Sequence, residues 1–292
     1  MARVSNKLSF RRRCIQLASA LIYNANLPGF VNGSIYKGKN KGICAPGLNC
    51  YSCPGATLSC PLGALQNAIS SLPNKAPYYI AGFLLLVGIA LGRIVCGFLC
   101  PFGLIQELLH RIPSPKIPKS HLTRRLTWLK YVVLAVFVVA MPLYYIFFKG
   151  LPVPAFCKFI CPAGTLEGGF WLVGMREEYR AIAGKLFAWK SILCICILVL
   201  CVFLYRAFCR FLCPLGAIYS FFSRIALIAV RVDQNLCNNC GQCVKTCPVD
   251  TVRVGDRECI QCGHCRNVCP KNAIYIGKER NLCKNAAHQN KL

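Results

Sequence analysis

Long apolar runs alternate along this chain with short loops in which Cys, Pro and Gly recur. Residues 78–95 are apolar apart from Arg93 at the end. Residues 126–148 carry only Lys130 near one edge, and residues 187–208 have Lys190 at one end and Arg206 at the other. A helix of about 20 apolar residues crosses a bilayer, so all three runs are predicted transmembrane helices, and Lys190 and Arg206 are placed to snorkel to the interface. A fourth run, 14–30, is interrupted by Gln16, Asn24 and Asn26. It is expected to span as well, because an even number of spans returns both termini to one side.

Past residue 230 the apolar runs stop and a different pattern begins. Cys237, Cys240, Cys243 and Cys247 are followed by Pro248, and Cys259, Cys262, Cys265 and Cys269 by Pro270. This is C-x2-C-x2-C-x3-C-P twice over, the spacing in which four thiolates hold a [4Fe–4S] cluster and the fourth Cys of each run serves the other cluster. One run alone could bind zinc; two in tandem fix the chemistry as one-electron transfer. One cluster is expected on Cys237, Cys240, Cys243 and Cys269, the other on Cys259, Cys262, Cys265 and Cys247. The chain thus divides into a membrane part (1–230), an α+β two-cluster ferredoxin domain (231–278) and a tail (279–292).

The loops between the apolar runs repeat too. Cys-Pro-x-Gly occurs at Cys60, Cys100, Cys161 and Cys213, three times inside a longer C-x3-C-P: Cys96/Cys100, Cys157/Cys161 and Cys209/Cys213. Proline suits the first turn of a helix, where no N–H is needed, so each motif should open a short boundary helix such as 102–110. The unit "Cys-Pro helix, span, C-x3-C-P helix" occurs twice, which implies two related halves. Pairing those halves predicts a third site from Cys96, Cys100, Cys209 and Cys213. A fourth should come from Cys157, Cys161 and the loop holding Cys50, Cys53 and Cys60, with Cys44 just before it. Further [4Fe–4S] clusters are the expected occupants, with zinc the main rival. The plain alternative is that these cysteines pack as small apolar side chains. That reading is preferred for Cys194, Cys196 and Cys201, which fall inside a predicted span, and for the isolated Cys14 and Cys283.

Composition agrees with a lipid-buried chain: 55% of the residues are hydrophobic and only 15% charged. The 35 Lys and Arg against nine Asp and Glu give a formal +26. Such a charge suits an anionic leaflet or an acidic protein, whereas nucleic acid is a poor partner because the basic residues are scattered among apolar segments. Ferredoxin thiols need reducing conditions, which places both termini in the cytoplasm, and Arg11–Arg13 precede no small-residue cleavage site. None of the four histidines lies inside a span and no C-x-x-C-H occurs, which argues against haem. No P-loop or dinucleotide fingerprint occurs either. Glu107, Glu167, Glu177 and Glu178 flank the boundary helices and are candidates to take a quinol proton.

The order Arg-Arg-x-x-x-Gln, PGLNCYSCPGATLSCPLGALQ, CGFLCPFGLIQELLHRIPSPK, CKFICPAGTLEGG, CRFLCPLGAIYS and then a two-cluster ferredoxin resembles the polytopic 4Fe–4S binding proteins. That group includes the ferredoxin-type membrane subunits of periplasmic nitrate reductase systems and the C-terminal half of the nitrous oxide reductase regulator. The resemblance implies a four-span membrane electron-transfer protein, a quinol dehydrogenase component, with cytoplasmic clusters. The family's C-x3-C-P pair maps onto Cys96/Cys100 and Cys209/Cys213; the motif at Cys157/Cys161 and its partner loop are additional. The function expected is a conduit between a cytoplasmic electron carrier and quinone or a membrane or extracytoplasmic partner. A non-catalytic redox sensor or maturation factor is the alternative.

Overall fold

The computed structural model describes residues 2–71 and 78–277; the tail expected at 279–292 lies outside them. Helix α1 (Ala2–Tyr23) is followed by α2 (Leu27–Asn32), then by a buried loop leading to α3 (Pro61–Ser70), α4 (Tyr78–Leu91) and α5 (Pro101–Leu109). A long helix, His121–Lys149, and a second, Lys185–Phe203, complete the frame. These two are long and apolar enough to cross a membrane, while α4 is a shorter apolar helix. Nineteen residues give Lys185–Phe203 a length of about 28 Å at 1.5 Å per residue, close to the thickness of a hydrocarbon core.

The predicted run 14–30 is not one helix. It breaks at Asn24–Asn26, where the Asn24 side chain turns back to donate to the Ala20 carbonyl and Pro28 sits in the first turn of α2. Within α1 the polarity is inverted: Arg12, Gln16, Ser19 and Tyr23 are buried along one stripe, while Leu17, Leu21 and Ile22 face out. The run 78–95 is broken as well, by the left-handed turn at Gly92 (φ 49°). The run 187–208 breaks after Phe203, and Arg206 takes a left-handed φ of 51° before a short helix, Ala207–Phe211.

Arg206 does not snorkel, and Arg93 and Lys130 turn inward with it. All three are fully buried and point inward to carboxylates. Cys194 and Cys201 face the interior as well, and only Cys196 is exposed. Their plain packing role stands, although the surface they pack against is protein.

The C-terminal region closes with a two-stranded antiparallel sheet, β1 (Ala229–Val232) against β2 (Ile274–Gly277), in the register Ala229 to Gly277 and Val232 to Ile274. Both cysteine runs lie between these strands, which tie the ends of the region together. Carboxylates hold it to the helices. Lys130 Nζ lies 2.5 Å from Glu258 Oε2, with Arg93 beside it at 3.7 Å. Asp250 pairs with Arg210 and accepts from Thr123 Oγ1 at 3.1 Å. Arg257 stacks over Trp128 at 4.3 Å, a cation–π contact.

Candidate iron–sulfur sites

The Cys-Pro-x-Gly unit is a helix start built around a sulfur. Cys60, Cys100 and Cys213 each occupy an extended N-cap position with proline in the first turn behind them. An N-cap side chain normally accepts an N–H from two or three residues on; here the acceptor is a thiol. Gly164 N–H donates to Cys161 Sγ and Gly216 N–H to Cys213 Sγ, both at 3.4 Å. Gly63 and Gly103 hold the same place behind Cys60 and Cys100, where their backbones favour the thiolates. The positive end of a helix favours a negative sulfur, so each unit is primed to hold a thiolate. The glycine also keeps the wall thin: a Cβ at Gly164 would stand 3.6 Å from Cys50 Sγ.

Cys96, Cys100, Cys209 and Cys213 are all buried, between 3% and 8% exposed. Burial pushes Cys100 up to about 12 and Cys209 to about 11, although the Arg206 guanidinium pulls Cys209 back down. Cys213 is raised well above the ordinary thiol range, by burial first and then by Cys209, Cys96 and Cys100 as charged neighbours. Thiols crowded and buried like this ionise when a metal takes the place of their protons.

Of the five cysteines expected at the fourth site, four converge. Cys50, Cys60, Cys157 and Cys161 line one cavity of about 630 Å³. Cys53 is buried outside it, with Glu167 and Lys41 as its charged neighbours. Cys44 reaches the same wall, its backbone N–H donating to Tyr79 Oη at 3.1 Å. A full C-x3-C-P before Pro61 would need a cysteine at 56, which is alanine, and Cys50 comes over from the loop instead.

In the C-terminal region, Cys237, Cys240, Cys243 and Cys269 line a cavity of about 510 Å³. The last of these comes from the second run, as the spacing predicts. Cys265 is pushed up by burial and then by Cys259, Cys262, Cys247 and Cys243 as charged neighbours. All described cysteines are free.

The sets are contiguous. Gly97, next to Cys96, packs so closely on the second ferredoxin run that a Cβ there would sit 2.5 Å from the Ile260 carbonyl oxygen and 3.6 Å from Cys262 Cα. On the other side, a Cβ at Gly47 would lie 3.0 Å from Cys100 Cα. The segment 45–49 containing Gly47 is buried apart from half-buried Pro46, and the Leu48 and Asn49 backbones favour the thiolates of Cys100 and Cys60. Tyr219, fully buried, donates to the Pro46 carbonyl at 2.9 Å and has Cys96, Cys60, Cys100 and Cys44 around it.

The residues around these sulfurs fit iron–sulfur clusters. Among the described residues no three His, Cys, Asp or Glu side chains close tightly enough to hold one ion. The Cys237 set and the Cys50 set instead each face a shared cavity, which suits a four-iron cube better than one Zn²⁺ at about 2.3 Å from each sulfur. Of the candidate proton acceptors, Glu107 is locked by Arg12, Arg206 and Tyr205, and Glu177 and Glu178 are exposed. Glu167 accepts the Cys50 N–H at 2.8 Å, and burial raises it to about 7. Sequence reasoning missed Gln66 and Gln106, both fully buried, whose side-chain amides reach Cys157 Sγ and Cys209 Sγ. The signal was present: each glutamine stands six residues after a Cys-Pro-x-Gly cysteine.

Four thiol sets in one helical frame define a multi-site iron–sulfur protein. The chain belongs to the ferredoxin-type 4Fe–4S binding family of electron-transfer proteins. A 4Fe–4S binding domain matches twice, at residues 76–120 and 187–232, and two further 4Fe–4S binding domains match at 229–252 and 254–275. The repeated match covers Cys96/Cys100 and Cys209/Cys213, and the segment with Cys157 and Cys161 falls between its two copies. The chain is 31% identical over 199 residues to an uncharacterized protein of Methanocaldococcus jannaschii, covering 65% of this chain and 73% of that one. It is 28% identical over 251 residues to the methylamine utilization ferredoxin-type protein MauN of Paracoccus denitrificans, covering 81% of this chain and 74% of the relative. It is 27% identical over 200 residues to the putative electron transport protein YccM of Escherichia coli, covering 64% and 52%. No solved structure matches the chain.

Proposed function

We propose that the chain is a membrane-embedded relay of four [4Fe–4S] clusters. Electrons exchange between a cytoplasmic carrier at the Cys237 set and quinone, or a membrane or extracytoplasmic redox partner, at the Cys50 set. The contiguity of the sets carries this reading. Gly97 presses the Cys96 loop onto the Cys262 loop, and segment 45–49 touches both Cys100 and Cys60. A hydrocarbon core of about 30 Å separates the two faces of a membrane, so a relay needs intermediate stations, and buried Cys-Pro helices supply them.

The clusters supply reversible one-electron exchange. The chain's own residues hold them, keep water away and fix their order. The sets with Cys96 and Cys60 are walled by Phe102, Phe156 and Phe208, none of which is exposed. The buried pairs Lys130–Glu258 and Arg210–Asp250 keep the ferredoxin region seated on the helices.

Outward-facing apolar side chains support lipid around the frame. Leu86, Val132, Phe147, Ile192 and Ile195 all stand more than half exposed on the three apolar helices, as do Leu17, Leu21 and Ile22 on α1. With α1 counted, the reading has four spans and both termini cytoplasmic.

Iron and acid-labile sulfide per chain, with anaerobic EPR, test the reading. About sixteen iron atoms are expected; about eight would leave clusters in the ferredoxin region alone and sink the relay. Cys209→Ser should remove one cluster's iron and spare the ferredoxin signals. A C-terminal reporter should be active only in the cytoplasm. If neither a quinol nor a low-potential ferredoxin reduces the purified protein, while its loss still blocks maturation of a partner enzyme, the sensor or maturation role replaces the conduit.

A further inference from the structure

The four Cys-Pro-x-Gly units run on further than the motif that names them. Counted from each cysteine, the seventh residue is Gln66, Gln106, Glu167 and Tyr219 in CPLGALQ, CPFGLIQ, CPAGTLE and CPLGAIY. Each is polar, and each turns toward the cysteine sets. Six residues beyond the N-cap is the second turn of the helix, about 120° around from the cysteine, so the side chain faces a neighbouring element rather than its own N-cap.

At two of the four the arrangement is the same. Gln66 Nε2 donates to Cys157 Sγ at 3.2 Å and to the Leu62 carbonyl, and its Oε1 accepts the Phe156 N–H at 2.9 Å. Gln106 Nε2 donates to Cys209 Sγ at 3.0 Å and to the Phe102 carbonyl, and its Oε1 accepts the Cys209 N–H at 3.3 Å. Cys157 and Cys209 are the equivalent first cysteines of two C-x3-C-P motifs. Each glutamine therefore reaches from the helix of one half to the leading thiol of the other. The amide cannot be turned around, because Oε1 is held by a backbone donor and Nε2 by a backbone carbonyl, so N–H is what faces the sulfur. Neither amide is solvent-exposed, so no water competes for the bond.

A donor bonded to a cluster sulfur favours the state with more negative charge on that sulfur, which is the reduced cluster. We infer that Gln66 and Gln106 are a repeat-related pair of positioning residues that raise the reduction potentials of the Cys50/Cys60/Cys157/Cys161 and Cys96/Cys100/Cys209/Cys213 clusters in parallel, keeping the two membrane stations matched. Glu167 and Tyr219 occupy the same helix position without bonding a sulfur: Glu167 accepts the Cys50 N–H and Tyr219 donates to the Pro46 carbonyl. They position the loop that runs between the sites. This inference rests on the membrane sites holding clusters, which the iron count on the unaltered chain decides separately.

EPR-monitored redox titration of the full-length protein in detergent, with iron measured on the same samples, tests the role. Gln106→Leu should keep the full iron content and shift the potential of the Cys209 cluster negative, leaving the two ferredoxin clusters where they were. Gln66→Leu should do the same at the Cys157 cluster. Full iron with unmoved potentials would overturn the assignment. A measurement on the unaltered chain guards against a variant that misfolds. With glutamine side chains labelled with ¹⁵N, both reduced membrane clusters should show ¹⁵N hyperfine coupling, and its absence from both would overturn the assignment equally.

Discussion

Arg12 grips Glu107 with both arms of its guanidinium, Nη1 at 2.6 Å from Oε1 and Nη2 at 2.7 Å from Oε2, although the two stand 95 residues apart. The same Oε1 accepts from Tyr205 Oη at 2.6 Å and from Arg206 Nε at 2.9 Å. One carboxylate thus ties α1, α5 and the left-handed turn at Arg206 into a single knot beside the Cys262 loop.

That knot is held together by charge. Burial alone would raise the Glu107 carboxyl, but Arg206, Arg12 and Tyr205 outweigh it and hold it below its ordinary value. A depressed carboxyl stabilises the fold fully above the ordinary carboxylate range, and that contribution is lost as pH falls through the depressed value. Glu107→Gln leaves two buried guanidiniums unpaired and should cost about 3–5 kcal/mol, read by thermal unfolding at neutral pH. As the pH falls through that window, the variant should lose less further stability than the unaltered chain.

Cys53 and Cys60 offer a sharp contrast inside one loop. Cys60 lines the cavity shared with Cys50, Cys157 and Cys161, and Cys53 does not. Cys60→Ser is expected to release about four iron atoms per chain, and Cys53→Ser none. Loss of iron from both would mean that the loop binds differently.

Asp250 and Glu258 seat the ferredoxin region through Arg210, Thr123, Lys130 and Arg93. The double variant Asp250→Asn, Glu258→Gln should keep all its iron. It should slow electron transfer between the ferredoxin clusters and the membrane clusters by tenfold or more, about 1.4 kcal/mol of barrier. Limited proteolysis near residues 224–231 should speed up with it. Unchanged transfer would show that these pairs do not hold the two loops together.

Gly97→Ala probes the same seam by sterics. The added methyl would meet the Ile260 carbonyl at 2.5 Å, so one loop must give way. The expected result is a perturbed EPR signal from the clusters of the Cys262 and Cys96 sets, with the signal of the Cys237 set unaltered.

Much of this was legible in the sequence. Cys269 lies with Cys237, Cys240 and Cys243 around one cavity, and Cys96 and Cys100 stand near Cys209 and Cys213, because a fixed spacing around a Pro-led turn leaves a thiol few places to go. The inner course of the apolar runs was not legible. Arg93 and Lys130 read as charges at the edges of apolar runs and Arg206 as a snorkelling end, since hydropathy cannot see Glu107 and Glu258, which arrive from distant segments to meet them. Cys53 looked as good a ligand as Cys50, because which sulfur faces the cavity depends on how the loop folds over Ala56. Gln66 and Gln106 do not stand out in the sequence because Glu167 and Tyr219 hold the same position in the other two units.

The contact between Gly97 and Ile260 also sets an order of events during biogenesis. With the ferredoxin region seated, Cys96, Cys100, Cys209 and Cys213 are at most 8% exposed. Any inorganic cargo they hold must be delivered while that region still hangs free, or delivered as it swings aside. The segment that carries Ile260 is therefore the stopper that closes over what was loaded before it seats.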